Sequence, residues 1–411
     1  MINKFYNRRI KIFTILIFIV LFAFLISYAI TAISVFTLLV FFFLDKKDSI
    51  KHKFYQGKSN KLIIFYVIFF LIQCIGLFYT TNIEFGIKRI MVLLPVLFLP
   101  LVVITEKVDL KLFDQLLNAL VIWIIVLLSL FLLIHLYVDE RQLNNFVVYY
   151  LNDKLGISQF YISFIIVLPL LKVLKDLEKK RDYLIMFKGL ILLFFTLLLG
   201  NITIFVFLSL LTIFKTLMFF KEKSKLFKTL VLGLVFSFIG LSVFLTPKIN
   251  EKFNVIIKTT DLDYGIIKTK HSVTFAKNTI EKRIIINMSS LNLIKENFPF
   301  GVGTGDFMDE LIQEYKKINF KSGIKQSYNN HNQFLSEFTK TGMLGGLCFM
   351  FIVFLLLKRA TFNSNYYAYF TILFAFGAMV ESYLYRQHGV LVFSFFIPLF
   401  YSYEKQLPND R

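Results

Sequence analysis

Long apolar runs alternate with short polar segments along almost the whole chain. A run of about 17–25 residues with few charges can cross the ~30 Å hydrocarbon core of a bilayer as one helix. Such runs fall at 10–27, 29–44, 62–80, 90–104, 116–138, 159–174, 184–200, 202–220, 229–247, 342–357, 366–384 and 389–403. Two of the divisions, near Ser27–Thr31 and near Gly200–Asn201, lie inside continuous apolar stretches. Each stretch is about twice one span, so each is expected to be a tight helical hairpin. One long segment, 248–341, has a soluble composition instead. Within it Ile280, Ile284, Met288, Leu291, Ile294 and Phe298 recur at helical spacing and are predicted to share one face. That helix is expected to lie along the membrane surface or to pack on the bundle, with Arg283 flanking the stripe and Asn287 within it. The expected organisation is 1–247 with helices one to nine, 248–341 as a large loop with short helices, and 342–411 with the last three helices and a short tail.

Composition sharpens this picture. Hydrophobic residues make up 57% of the chain, with 52 Phe, against about 45–50% in soluble domains. A soluble fold could not bury that much apolar surface, whereas a bilayer accepts it. The net charge of +20 suggests nucleic acid at first. The basic residues, however, cluster in short segments between apolar runs, which points to cytoplasmic loops beside anionic lipid and not to nucleic acid. With the N-terminus inside, the short inside segments hold 27 Lys and Arg, the short outside segments 5, and the 248–341 loop 14. Long loops translocate largely regardless of charge, so those 14 do not vote. The fold class expected is therefore an all-α, polytopic transmembrane helix bundle of about 12 spans. Both termini are cytoplasmic and the large loop faces outward, which is the periplasm in a Gram-negative cell. The basic N-terminus at 1–11 resembles a signal peptide. No small-residue cleavage site follows and a second apolar run comes at once, so it reads as an uncleaved first helix. Cys74 and Cys348 lie inside apolar runs and offer neither a disulfide framework nor a metal cluster.

Candidate chemistry gathers late in the chain. Gly301-Val302-Gly303-Thr304-Gly305, after Pro299, is a glycine-rich turn whose amides could hold a phosphate; a plain tight turn has the same spacing. A dinucleotide fingerprint is excluded, since no strand–turn–helix unit surrounds it. His331 could serve as a general base, with its unperturbed pKa near 6.5, although a lone histidine is more often a surface or packing residue. No second His, Cys or carboxylate stands at ligand spacing, so no zinc site is expected. Arg283 could grip a phosphate or carboxylate with two N–H groups, or be a solvated charge. Glu381 falls within an expected span, where a charge is functional or paired, and Arg386 is its expected partner. Lys88 and Arg89 sit in a short outside loop, where interfacial anchoring is the simpler account.

Taken together, these residues resemble the bacterial O-antigen ligase and O-antigen polymerase family. Its recurring pattern is an Arg, a short helix, a proline with a Gly-x-Gly-x-Gly turn, and later His-Asn before a Gly-x-x-Gly. Here those read Arg283, Pro299, Gly301–Gly305, His331-Asn332 and Gly342-Met343-Leu344-Gly345; the ending Glu381-Ser382, Arg386-Gln387 and Gly389 also looks like some members. The resemblance is close over roughly 280–400 and elsewhere rests on the pattern of helices. The chain departs from it at Gly200-Asn201-Ile202-Thr203, where many members carry a basic pair, at Asn287, where an aromatic is common, and at Lys340, where Glu is common.

The resemblance implies transfer of a glycan from undecaprenyl pyrophosphate to an acceptor hydroxyl, on the lipid A core for a ligase or on a second lipid-linked glycan for a polymerase. It implies a bacterial inner-membrane enzyme whose other contact is membrane lipid. In such a reaction His331 would activate the hydroxyl. Arg283 would hold the pyrophosphate, with Arg386 or Lys88 and Arg89 as further cations. Asn332, Gly301, Gly303 and Gly305 complete the expected substrate contacts. No metal or nucleotide motif appears, so no cofactor is expected. The rival reading is a transporter or flippase of a lipid-linked glycan. Such folds show paired halves and broken helices at mid-membrane, whereas here no repeat relates the halves and polar residues concentrate in the loop. A scaffold in a glycan-assembly complex would leave His331 without a task.

Overall fold

The computed structural model describes residues 2–180, 182–221, 225–360 and 366–407; the expected loop at 361–365 and the extreme C-terminus lie outside them. Among the described residues all regular structure is helical. The chain forms two compact units, one of 1–115 with 260–411 and one of 116–259.

In chain order the helices are α1 (Ile2–Ala23), α2 (Tyr28–Phe43), α3 (Lys47–Ser59), α4 (Lys61–Ile75), α5 (Ile83–Thr105) and α6 (Leu110–Leu133). The second unit continues with α7 (Gln159–Lys179), α8 (Tyr183–Leu199), α9 (Ile202–Phe219), α10 (Lys225–Leu245) and α11 (Pro247–Thr259). The first unit resumes with α12 (Tyr264–Val273), α13 (Thr279–Glu296), α14 (Phe307–Lys317), α15 (Lys321–Gln326), α16 (Gln333–Arg359), α17 (Tyr366–Ala378), α18 (Gln387–Leu391) and α19 (Ile397–Lys405).

Both expected hairpin breaks are present, and each has a local cause. Ser27 caps α2 by accepting from the Ala29 amide. Gly200 ends α8 in the left-handed region at φ 61°, and Asn201 caps α9 by accepting from Thr203 and Ile204. The expected count of about 12 spans is not reproduced. Among the described residues three helices are, by length and composition, long and apolar enough to cross a membrane: Ile83–Thr105, Leu110–Val138 and Gln333–Arg359. Three bent pairs raise this to six, among them Tyr28–Phe43 with Lys47–Ser59, turned by 110°. Four other apolar helices are shorter: Lys61–Ile75, Tyr183–Leu199, Ile202–Met218 and Tyr366–Ala378. The run at 366–384 stops at Ala378, and the run at 389–403 is divided by a π-turn at Val392–Phe396. The run at 342–357 belongs to a longer helix, kinked where Gly342 adopts φ 61°.

The first unit is also pinned by charge. Arg9 and Lys53 both reach Glu106, at 2.9 and 2.6 Å, and both reach Asp45, at 3.4 and 2.5 Å, all four side chains being largely buried. The soluble-like segment builds a small core from Ile267, Ile285, Ile286, Leu293, Leu311, Tyr315 and Phe320. The apolar stripe predicted on α13 faces outward. Ile280, Met288, Leu291 and Phe298 are exposed, while Glu281, Ile285, Ile286, Ser289, Ser290 and Leu293 are buried. The polar row faces inward because it meets hydrogen-bonding partners such as Asn330, which donates to Ser290 at 2.9 Å.

Candidate active site

The segment Asn329-Asn330-His331-Asn332 joins the helical loop to α16, and each asparagine has a structural task. Asn329 accepts from the His331 amide at 3.0 Å. Buried Asn330 donates to Ser290 and Thr339. Asn332 caps α16 by accepting from Leu335 at 3.1 Å through its Oδ1. Together they hold His331 at φ 45°, a conformation in which a side chain is strained unless its neighbours impose it.

Arg283 reaches this segment from α13. Its Nη1 donates to the His331 carbonyl at 3.1 Å and to the Val380 carbonyl. Burial pulls the guanidinium below its ordinary pKa, and the charge of Glu381 works against that shift. Glu381 comes from the turn after α17, where its Oε2 lies 3.6 Å from His331 Nδ1. That is ion-pair range but too long for a hydrogen bond. Tyr328 packs on the imidazole with ring centroids 5.7 Å apart. The His331 and Glu381 side chains keep 27% and 17% of their surface exposed, so the pair is open to a ligand. Three groups from separate stretches of chain, Arg283, His331 and Glu381, therefore meet at one place.

The remaining expected cations do not join them in this geometry. Arg89 is buried and donates to the Leu384 and Tyr385 carbonyls at 2.7 and 2.9 Å, with its guanidinium 4.6 Å over the Tyr385 ring. It braces the turn that carries Glu381. Lys88 is exposed and pairs with Glu84 at 2.6 Å, one helical turn away. Arg386 hydrogen-bonds Tyr28, and the carboxylate expected as its partner faces His331 instead.

The glycine turn makes a joint between the end of α4 and the kink of α16. The amides of Gly301, Val302, Gly303, Thr304 and Gly305 donate to Asn297 O, Thr339 O, Lys340 O, Gly76 O and Thr80 Oγ1, all at 2.9–3.2 Å. Of the two readings its spacing allows, a tight turn and a phosphate cradle, these bonds describe the turn. A Cβ at Gly301 would lie 2.6 Å from the Gly342 nitrogen, so only glycine allows the two backbones to touch.

Beneath the joint is a buried polar knot missed by the sequence reading. Lys340 pairs with Glu337 at 2.6 Å, Gln73 donates to the other Glu337 oxygen at 2.7 Å, and Gln333 donates to Glu337 while accepting from Leu384 at 2.8 Å. The unusual Lys340 has a partner one turn away on its own helix, and that i, i+3 spacing was the available signal.

The O-antigen ligase family model matches residues 186–350, which bears out the family resemblance and places glycan transfer of that type at the level of the family. The matched segment contains Arg283, Gly301–Gly305, His331 and Asn332, and ends before Glu381. No curated protein matches the chain at a significant level.

Proposed function

We propose that this chain transfers a glycan from undecaprenyl pyrophosphate to an acceptor sugar hydroxyl. The observation that carries the reading is the meeting of Arg283, His331 and Glu381 inside and just beyond the O-antigen ligase match. The hydroxyl oxygen attacks C1 of the donor sugar, the C1–oxygen bond to the pyrophosphate breaks, and the lipid pyrophosphate leaves with the bonding electrons. The hydroxyl proton passes to His331. With the proton of the neutral ring on Nδ1, facing Glu381, the Nε2 lone pair is the base. Glu381 then stabilises the imidazolium that forms. Arg283 supplies positive charge where the leaving pyrophosphate gathers negative charge. A sugar on a pyrophosphate already has a good leaving group, so these residues have to position, deprotonate and neutralise.

The acceptor is the lipid A core in a ligase or a second lipid-linked glycan in a polymerase. The setting is the bacterial inner membrane, with both termini cytoplasmic and the 248–341 segment periplasmic; the support is the Lys and Arg distribution. The test is transfer from purified lipid-linked glycan in detergent or vesicles. Wild-type protein is expected to consume donor and release polyprenyl pyrophosphate, and His331→Ala to do neither at a comparable rate. Transport of the lipid-linked glycan across vesicles with no bond broken would replace this reading by the flippase one.

A further inference from the structure

The seam between α4 and α16 changes character at the Thr341–Gly342 kink. On the His331 side of the kink it is closed by polar contacts: Gln73 Nε2 donates to Glu337 at 2.7 Å and lies 3.4 Å from Thr341 Oγ1, and Thr304 Oγ1 donates to the Gln73 carbonyl at 2.8 Å. On the far side the surface between the same two helices forms an open groove of about 600 Å³. Its walls are apolar, with Phe65, Ile68 and Ile72 from α4 and Leu344, Leu347 and Phe351 from α16. The Cys348 thiol in the wall is turned to the Phe65 carbonyl at 3.7 Å. Leu344 and Leu347 are 67% and 45% exposed, on a helix whose membrane-spanning window has a mean hydropathy of 2.0. Hydrocarbon suits such a wall, and the groove is open along its length, so it fits a chain lying along the helix surface.

Continuity with the active site narrows the occupant. α16 begins next to His331, and Leu344 lies about 20 Å along the chain direction at 1.5 Å per residue. The apolar surface continues outward from Leu344 through Met343, whose amide donates to Pro299 at 2.8 Å, to exposed Phe298 and Phe300. A lipid held by its pyrophosphate at Arg283 meets the groove only if its tail extends beyond that distance. We propose that the α4–α16 groove seats the distal part of the donor's polyprenyl chain, so that the enzyme selects donors by chain length. This inference rests on the proposed function.

The experiment compares donors carrying the same glycan pyrophosphate on a full-length polyprenyl chain and on a chain of two isoprene units. Leu347→Trp fills the groove, and Phe36→Trp makes the same change on an exposed face of α2. Wild type and Phe36→Trp are expected to favour the long donor. Leu347→Trp is expected to raise KM for the long donor about tenfold, the effect of displacing roughly two buried methylenes, and so to erase the preference without lowering kcat. An unchanged long-donor KM in Leu347→Trp, or no preference in wild type, overturns the proposal. A second readout does not need turnover: a photoreactive long-chain polyprenyl phosphate is expected to label α4 and α16 peptides, and labelling spread evenly over the outward-facing helices overturns the groove. If wild type transfers from neither donor, the proposed function fails and the labelling pattern alone decides the groove.

Discussion

Replacing Gly301 by alanine separates a structural joint from a phosphate cradle. The new methyl group would sit 2.6 Å from Gly342 N, 2.7 Å from Thr339 O and 2.8 Å from Lys340 O. All three are backbone atoms, so no side chain can rotate away. The residue is also at φ 77°, where a Cβ costs about 1–2 kcal/mol. Forcing a methyl into packed backbone adds about 1–3 kcal/mol. Shifting the turn far enough to relieve the clash lengthens the bonds from Val302 and Gly303 to Thr339 and Lys340, each worth about 1 kcal/mol net. The total is about 3 kcal/mol or more, a drop of roughly 5–10 °C in the unfolding midpoint of a unit this large. The assay is thermal unfolding in detergent, followed by intrinsic fluorescence, alongside donor binding below the transition. Under the joint reading the midpoint falls, and molecules that remain folded bind donor normally. An unchanged midpoint with donor affinity lost would refute the joint and restore the turn as a phosphate site.

Further outcomes follow from the same geometry. His331→Ala is expected to lower transfer by about 10²–10⁴-fold while donor binding persists, and near wild-type turnover would reduce His331 to a structural residue. Glu381→Gln keeps the shape but removes the charge facing Nδ1, so kcat should fall with little change in KM; unaltered kcat removes Glu381 from the mechanism. Arg283→Lys is expected to recover only part of what Arg283→Ala loses, since the charge stays but the planar fork that reaches His331 O and Val380 O is gone; equal activity of the two variants argues against a role for the charge. The small loop core should loosen in acid. Burial holds the His271 imidazole below 6.5 against the pull of Glu281. Burial would raise Glu281, but Lys270, the Asp261 amide and His271 keep it below 4.5. Both folded-state values are depressed, so the stability they supply is present above about pH 6.5 and is lost as pH falls, first through His271 and below 4.5 also through Glu281; hydrogen exchange of α12 and α13 that does not change between pH 8 and 5 contradicts this. Reporter fusions at Lys268 and Lys358 should report opposite compartments, and a shared compartment would refute the orientation.

The candidate site was legible in the sequence wherever a residue type stood out from its neighbours. Arg283 and His331 stood out because one is a cation beside an apolar stripe and the other an imidazole among asparagines. Glu381 was noticed but given the wrong partner. Arg386 is closer in sequence, while His331 is brought to it by the packing of α13 on α16 and by the Arg283 bond to Val380. The glycines were read for their freedom, with a tight turn and a phosphate cradle both left open. Spacing shows that backbone will come close to something; it does not say whether that is a ligand or, as here, the carbonyls of Thr339 and Lys340. The α13 stripe was placed on one face by its spacing, which left open whether that face points inward or outward. Periodicity assigns apolar residues to the interior when the surroundings are water, but a helix beside a membrane can turn that face outward and bury Ser289 and Ser290 against hydrogen-bonding partners.

The sequence by itself determined the class of this protein. Its apolar excess can only be accommodated by helices in lipid, where every backbone polar group must be satisfied within its own segment. It also determined the hairpin breaks at Ser27 and Asn201, because capping is a local bond between neighbours. The tertiary structure alone decided which charges are spent inside the fold, as with Arg9, Lys53 and Arg89, and which keep part of their surface exposed, as with His331 and Glu381. Coulomb energy and hydrogen bonding fall steeply with distance and depend on burial, so a charge acquires its role only when residues hundreds of positions apart are packed within a few ångströms.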